Sequence, residues 1–337
     1  MEKGRRNRKK NKNFRESTAY KILLGAFTAL FVLSLLLYVN EKVLHFEFLP
    51  TTAEIYAALD GRKNVVSTAD GEIAVHYIDV GQGDCQLIVA GDTRVLIDCG
   101  EAIYADRVIN YISQMGFRRL DYVIATHQHE DHIGGMSKIL EEFSVGKFIM
   151  PQVPDELLPM SKEFESMLDI IESRNITAEY SQPGTKIHLG NGAVLEFLAP
   201  VHDDYSSLNN YSIVTRLVHG NRSFLFTGDI ERAAESDLVN SGLYLRSDVL
   251  KVPHHGGTSS STQAFIEAVS PQYAVICVGK GNSYGHPKTE VLERLNKRNC
   301  EIYTTMHSGN IVFVSDGEQF KIYTDSGSGD FKEEEAA

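Results

Sequence analysis

Between Ile73 and Tyr323 short apolar runs alternate with amphipathic stretches, and that pattern predicts a mixed α/β body. Ile73–Asp79 and Cys85–Ala90 read as strands, and Thr93–Cys99 returns from a Gly91-Asp92 turn as the second arm of a hairpin. Apolar residues at Tyr104, Val108, Ile109 and Ile112 have the spacing of a helix over Tyr104–Met115. Strand Tyr122–Thr126, a helix over Ile133–Phe143 and strand Lys147–Met150 are expected next. The second half repeats the theme, with expected strands Lys186–Leu189, Val194–Ala199, Ser212–Val218 and Ser223–Thr227 before a helix over Glu231–Val239. Strand Asp248–Val252, helix Thr262–Val269, strand Tyr273–Val278 and helix Lys288–Asn296 follow, and strands Glu301–Thr304, Asn310–Val314 and Gln319–Tyr323 close the body. Two strand-rich runs, each followed by helix-alternating segments, predict two sheets between helices. No Pro/Gly-rich linker interrupts residues 71–325, which read as one domain.

The pattern changes at both ends. Residues 22–39 (ILLGAFTALFVLSLLLYV) carry no charge over 18 positions, and at 1.5 Å per residue such a helix spans about 27 Å, enough for a bilayer core. Residues 1–21 hold nine Lys/Arg against Glu2 and Glu16, which places that end in the cytoplasm and the body outside the cell. A cleaved signal peptide is the competing reading, but the run is long for one and no A-x-A-like site follows it. Residues 40–70 read as a stalk, and the polar tail 326–337 (SGSGDFKEEEAA) as disordered.

Composition adds bounds. Hydrophobic content of 42% and charged content of 23% are those of a globular chain with a sizeable core. The net charge of −12 divides into +7 over residues 1–21 and −19 over the remaining 316, which hold 24 basic and 43 acidic side chains. So acidic a body is a poor electrostatic footprint for tight non-specific nucleic-acid binding. Four cysteines without a CxxC spacing argue against a cysteine zinc site, and leave Cys85/Cys99 and Cys277/Cys300 as either disulfides or buried thiols.

The chemistry is concentrated at Thr126-His127-Gln128-His129-Glu130-Asp131-His132, directly after the strand Tyr122–Thr126 and before a helix. Histidine makes up only 12 of 337 residues, so three of them with two carboxylates in this short loop point to a metal site rather than to a solvated turn. Other strand ends offer matching groups: Asp98, Asp229, His254, His255 and His286. A two-metal hydrolase needs ligands from several such loops and a carboxylate shared by two ions about 3.5–4 Å apart.

Together these motifs resemble the metallo-β-lactamase superfamily, and within it the C-terminal hydrolase domain of ComEC-like competence proteins. The resemblance runs from about Ile73 to Tyr323 on HYIDVGQGDC (76–85), LIDCG (96–100), THQHEDHIGGM (126–136), LNNYSIV (208–214), FLFTGDIERAAE (224–235), DVLKVPHHG (248–256) and VGKGNSYGHP (278–287). It implies an α/β fold, a four-layer αββα sandwich, with two divalent metal ions, zinc or manganese. His127 and His129 would bind one ion, and Asp131, His132 and His255 the other, with Asp229 shared. Asp98 would orient a ligand imidazole, and Asp79, Gln82 and Asp84 would form a signature loop beside the metals with His254 close by. Asp131 and Asp229 would act in catalysis, and His286, Asn210 and Lys288 would hold the phosphate or protonate the leaving oxygen. Lys251 and Lys280 could add local positive charge. The superfamily's third motif normally brings another histidine, where this chain has Asn209-Asn210, so the His127/His129 ion is one protein ligand short and of low expected occupancy; His202 is a candidate substitute. Gly257 stands where relatives usually have serine.

The resemblance implies cleavage of phosphodiester bonds of DNA, or RNA, by metal-activated water, in a hydrolase tethered outside the membrane by one helix. A hydrolase of a cell-wall phosphodiester or β-lactam is a second reading, and a non-catalytic DNA-binding protein with a decayed site a third. No protein partner is inferable from the sequence.

Overall fold

The computed structural model describes residues 66–328 and 330–334, with scattered helical positions between 21 and 35. Residues 1–63 and 64–337 are separate compact units. Much of the expected anchor over 22–39, and the stalk as far as residue 65, lie outside the described residues. Where described, Leu24, Phe27, Phe31 and Leu35 are helical and exposed. Among the described residues no helix is long and apolar enough to cross a membrane.

In the larger unit the first sheet is built from β1 (Ile73–Tyr77), β2 (Gln86–Ala90), β3 (Thr93–Ile97), β4 (Arg119–Ile124), β5 (Ser144–Met150) and β6 (Ala178–Tyr180). The second holds β7 (Lys186–His188), β8 (Val194–Ala199), β9 (Val214–His219), β10 (Arg222–Phe226), β11 (Val249–Lys251), β12 (Tyr273–Ile276) and β13 (Glu301–Thr304). The chain then returns to the first sheet through β14 (Ile311–Ser315), β15 (Phe320–Thr324) and β16 (Lys332–Glu333). The strand orders are β16-β15-β14-β1-β2-β3-β4-β5-β6 and β13-β12-β11-β10-β9-β8-β7.

Side-chain alternation explains why these strands stack as layers. In β1, Ile73, Val75 and Tyr77 point into the core between the sheets, while Ala74 points to the opposite face. Facing them across that core are Phe197, Leu217, Phe224, Phe226 and Val275 of the second sheet. The aromatic rings pack edge-on, Phe313 against Phe224 at 6.1 Å and 90°. Each such fully buried side chain contributes roughly 1.5–3 kcal/mol. The outer face of the first sheet is covered by α1 (Ala105–Gln114), α3 (Met136–Glu142) and α4 (Lys162–Ser173), through Val108, Ile112, Ile139, Leu140, Phe164 and Met167. A short α2 (Glu130–Ile133) precedes α3. The outer face of the second sheet is covered by α5 (Arg232–Asn240), α6 (Gln263–Val269) and α7 (Thr289–Asn296), through Leu238, Phe265, Ile266, Val291 and Leu295. The result is the four-layer αββα sandwich that the strand and helix pattern implied.

Two features depart from the expectation, and a third decides a choice the sequence leaves open. The stretch after β5 contains α4, started by Ser161, whose side chain accepts the Phe164 amide at 3.3 Å, and then the edge strand β6. The tail is not wholly without order: β16 pairs antiparallel with β15, and Phe331 packs on Tyr111. All four cysteines are buried free thiols, which decides against the two disulfides.

Candidate metal centre

β3, β4, β5 and β6 run parallel, as do β10, β11, β12 and β13, so many carboxyl ends open onto one rim. Asp98 follows β3, the His127–His132 run follows β4, Asp229 follows β10, His254 and His255 follow β11, and His286 lies in the loop after β12. Polar side chains at the ends of apolar strands thereby converge, each on a rigid support. Backbone bonds tie the loops together: Asp84 N to Asp131 O at 3.1 Å, Cys99 N to His132 O at 2.8 Å and Ile213 N to Thr126 O at 2.9 Å. Gly83 has a φ of +147°, and a β-carbon there would collide with the Asp131 carbonyl, so only glycine lets these two loops meet. Asp98, His254 and His255 adopt left-handed φ values of 56°, 51° and 53°, conformations that cost about 1–3 kcal/mol each and gather at this rim.

Asp131, His132, Asp229 and His255 each bring one donor atom into a group whose members lie within 4.8 Å of one another. His132 Nε2 and His255 Nε2 are each 3.3 Å from Asp229 Oδ2, and His255 Nε2 is 3.1 Å from Asp131 Oδ2. Beside this group His127 Nε2 lies 3.0 Å from His129 Nδ1, two nitrogens that need a proton or a cation between them. The far nitrogens are held from behind. His132 Nδ1 meets Asp98 Oδ2 at 2.8 Å, and His255 Nδ1 meets the Cys277 carbonyl at 2.8 Å. His127 Nδ1 lies 3.3 Å from Ser212 Oγ, which also accepts the Asp229 amide at 3.1 Å. Acceptors at Nδ1 fix the tautomer that turns the Nε2 lone pair inward, the arrangement metal-binding histidines need. The His132 Nε2 and Asp229 Oδ1 atoms are buried without a hydrogen-bond partner among the described residues. Orphaned donors of this kind, with imidazole and carboxylate as the donor set, fit a borderline divalent cation.

The electrostatics agree with that fit. Burial opposes ionisation of Asp229, but the imidazoles of His255 and His132 outweigh it and hold the carboxyl well below its ordinary range. Burial likewise disfavours charge on His132 and His255, yet Asp229 and its neighbours keep both well above the usual imidazole range. His127, farther from the carboxylates, is driven well below that range by burial and by His132. The carboxylates therefore draw positive charge onto these rings, and a divalent cation competes for the same lone pairs.

A cavity of about 400 Å³ opens over this group. Gln82, His129, Asn209, His254 and His286 line it with Asp131, Asp229 and His255. Burial and the neighbouring His254 push the His286 imidazole down to about 4, so it faces the cavity neutral. Its Nδ1 has no hydrogen-bond partner among the described residues. Gly257 leaves room for that ring, since a β-carbon there would stand 3.1 Å from His286 Nε2.

Several expected site residues sit elsewhere. Asn210 is not in the cavity: its Oδ1 accepts the Glu231 and Ala234 amides at 2.9 and 3.4 Å and tethers the start of α5, and its neighbour Asn209 lines the wall instead. Lys288 is spent on the Tyr284 carbonyl at 2.6 Å and does not line the cavity. Asp79 accepts the Gly81 amide at 3.0 Å and pairs with Arg107 at 3.5 Å, which turns it toward a neighbouring cavity. His202 does not supply the missing ligand; it is half-exposed and lies 3.9 Å from Asp237. Lys251 does not face substrate either. It is fully buried beneath the rim and pairs with Asp84. Ser212 was the residue missed, although the N-N-x-S pattern contains it.

The family model described as the metallo-beta-lactamase superfamily matches residues 78–280. The chain is 30% identical over 266 residues to ComE operon protein 3 of Bacillus subtilis, covering 73% of this chain and 33% of that protein. It is 31% identical to Competence protein ComA of Neisseria gonorrhoeae, covering 72% and 32%. The chain thus spans about a third of the length of these curated relatives. Among solved structures, a metallo-beta-lactamase fold protein from Bacillus subtilis, YhfI, superposes with a TM-score of 0.50 at 14% identity, over 72% of this chain and all of the other, a likeness of fold alone.

Proposed function

The chain belongs to the metallo-beta-lactamase superfamily, and from that premise we propose that it is a metal-dependent phosphodiesterase acting on nucleic acid, most readily single-stranded DNA. The observation that carries the reading is the convergence of Asp131, His132, Asp229 and His255 within 4.8 Å under an open cavity. Asp131, His132 and His255 would hold one ion and His127 and His129 another, with Asp229 common to both. Bound divalent ions, zinc or manganese, supply Lewis acidity in such a site, which makes a water more acidic and offsets charge on phosphoryl oxygens. Asp98 and the Cys277 carbonyl keep the two central imidazoles aimed inward, so no reorientation is needed at the moment of reaction. Neutral His286 is suited to donate a hydrogen bond to a phosphate oxygen rather than to deliver a proton, because its low pKa leaves little of the acid form near neutrality. The relative named as a competence protein supports DNA as the polymer.

The N-terminal pattern supports a tether. Basic residues 1–21 and the uncharged 22–39 suit a single-pass anchor that leaves the hydrolase unit outside the cell.

One observation favours a second reading, a smaller or cell-wall substrate: neither Lys nor Arg lines the cavity among the described residues. A substrate panel separates the two. The metal-loaded full chain should turn over labelled single-stranded DNA at least about a hundredfold more efficiently, by kcat/KM, than bis(p-nitrophenyl) phosphate, and leave nitrocefin intact. Comparable turnover of the small diester with no preference for DNA, or opening of nitrocefin, contradicts the nucleic-acid reading.

A further inference from the structure

Lys251 ends the central strand β11, flanked by strands on both sides, and is 0% exposed. Its ammonium touches Asp84 Oδ2, donates to the Gly228 carbonyl at 3.0 Å, and stands 3.6 Å from Asp229 Oδ1. Asp84 is equally buried. Among the described residues its Oδ1 has no hydrogen-bond partner; it lies 3.4 Å from His255 Nδ1, and Oδ2 lies 3.9 Å from His132 Nδ1. The two central imidazoles are therefore sandwiched. Their Nε2 atoms face Asp131 and Asp229 on the cavity side, and beside their Nδ1 atoms, which bond Asp98 and the Cys277 carbonyl, stands Asp84 with its partner Lys251. Removing an ammonium from water is costly, and a methionine of similar volume would pack in a strand of this kind without that cost. Folding alone does not call for this charge.

We propose that Asp84 and Lys251 are a built-in pair that sets the affinity of the centre for divalent cations, Lys251 competing with the metal for Asp229 and Asp84 offsetting that competition. The inference rests on the reading of Asp131, His132, Asp229 and His255 as metal ligands. Lys251 is here a positioning residue: it reaches no substrate and acts through Asp229. Opposite charges set against the same ligands, Lys251 by Asp229 and Asp84 by His255 and His132, should act with opposite sign, whereas a merely structural pair should weaken metal binding whichever partner is lost.

The test is calorimetric titration of the metal-stripped full chain with Zn²⁺ and with Mn²⁺ at pH 8, with near-ultraviolet circular dichroism to confirm packing. Lys251→Met should bind about tenfold more tightly than wild type, and Asp84→Asn about tenfold more weakly. The double variant should return to within about threefold of wild type, as should Lys251→Arg, which keeps the charge. If Lys251→Met does not fold, recovery of affinity from Asp84→Asn to the double variant decides the matter. Both single variants weakening together, or no recovery in the double, overturns the proposal while metal binding by wild type stands. No binding of either ion by wild type overturns the metal reading and this inference with it.

Discussion

Asp229→Ala should strip at least one metal ion from the purified chain and lower phosphodiester turnover by about a thousandfold or more. The expectation follows from position. Asp229 Oδ2 is 3.3 Å from both His132 Nε2 and His255 Nε2 and 3.9 Å from His254 Nε2, so one carboxylate serves three imidazoles. It is presented by the Thr227-Gly228 turn, where Gly228 adopts φ +50° and a β-carbon would stand 2.9 Å from Ser212. The backbone is also fixed, through its amide to Ser212 Oγ. Alanine leaves that backbone in place and removes only the shared oxygen donors, so the fold should survive and the loss should be chemical. Atomic-emission analysis of metal per chain, beside a rate on labelled DNA, checks both halves. A variant with wild-type metal content and rate would remove Asp229 from its role.

The second large effect is expected one step behind the ligands. Asp98 is fully buried and accepts three hydrogen bonds: from Thr126 N at 2.8 Å, from Thr126 Oγ1 at 2.6 Å and from His132 Nδ1 at 2.8 Å. Burial raises its pKa even against the opposing influence of His132, a sign that the carboxylate is kept in an unfavourable medium for the partners it serves. Asp98→Ala leaves those donors without an acceptor, at about 1–3 kcal/mol for each that stays buried and unpaired. It also frees the His132 ring from its tautomer, which should cost about 10- to 100-fold in metal affinity. Thermal unfolding and metal titration of the same variant measure the two losses separately. Asp98→Asn, which can still accept one of these bonds, should fall between. A wild-type midpoint and affinity in Asp98→Ala would show that His132 needs no such support.

Much of this arrangement was legible because strands buried between layers announce themselves by apolar runs, and the loops that end them carry the unusual residues. Val123-Ile124-Ala125 followed by the histidine run is the clearest instance, and Phe224-Leu225-Phe226 followed by Asp229 the next. The stretch holding α4 was harder. It opens among Pro151, Pro154 and Pro159, and its edge strand β6 is exposed at every position, so neither a period of two nor a continuous apolar run marks it. Asn209 and Asn210 could not be told apart by motif, since which one faces the cavity depends on the single 3₁₀ turn they share. Lys251 did leave a signal. Val249-Leu250-Lys251 is a strand buried at every position, and a lysine there conflicts with its surroundings unless a carboxylate meets it. Local conflict of that sort is where function tends to reside, and here Asp84 is the carboxylate that meets it.

The most direct test of the account uses the full chain with 5′- and 3′-labelled single-stranded DNA, in EDTA and with Zn²⁺ or Mn²⁺ restored, beside Asp131→Ala. Cleavage that appears only with metal and is lost in the variant is the predicted result, and the fragment ladder would give its polarity. Cleavage that persists in EDTA, or metal bound normally with the DNA left intact, would contradict it.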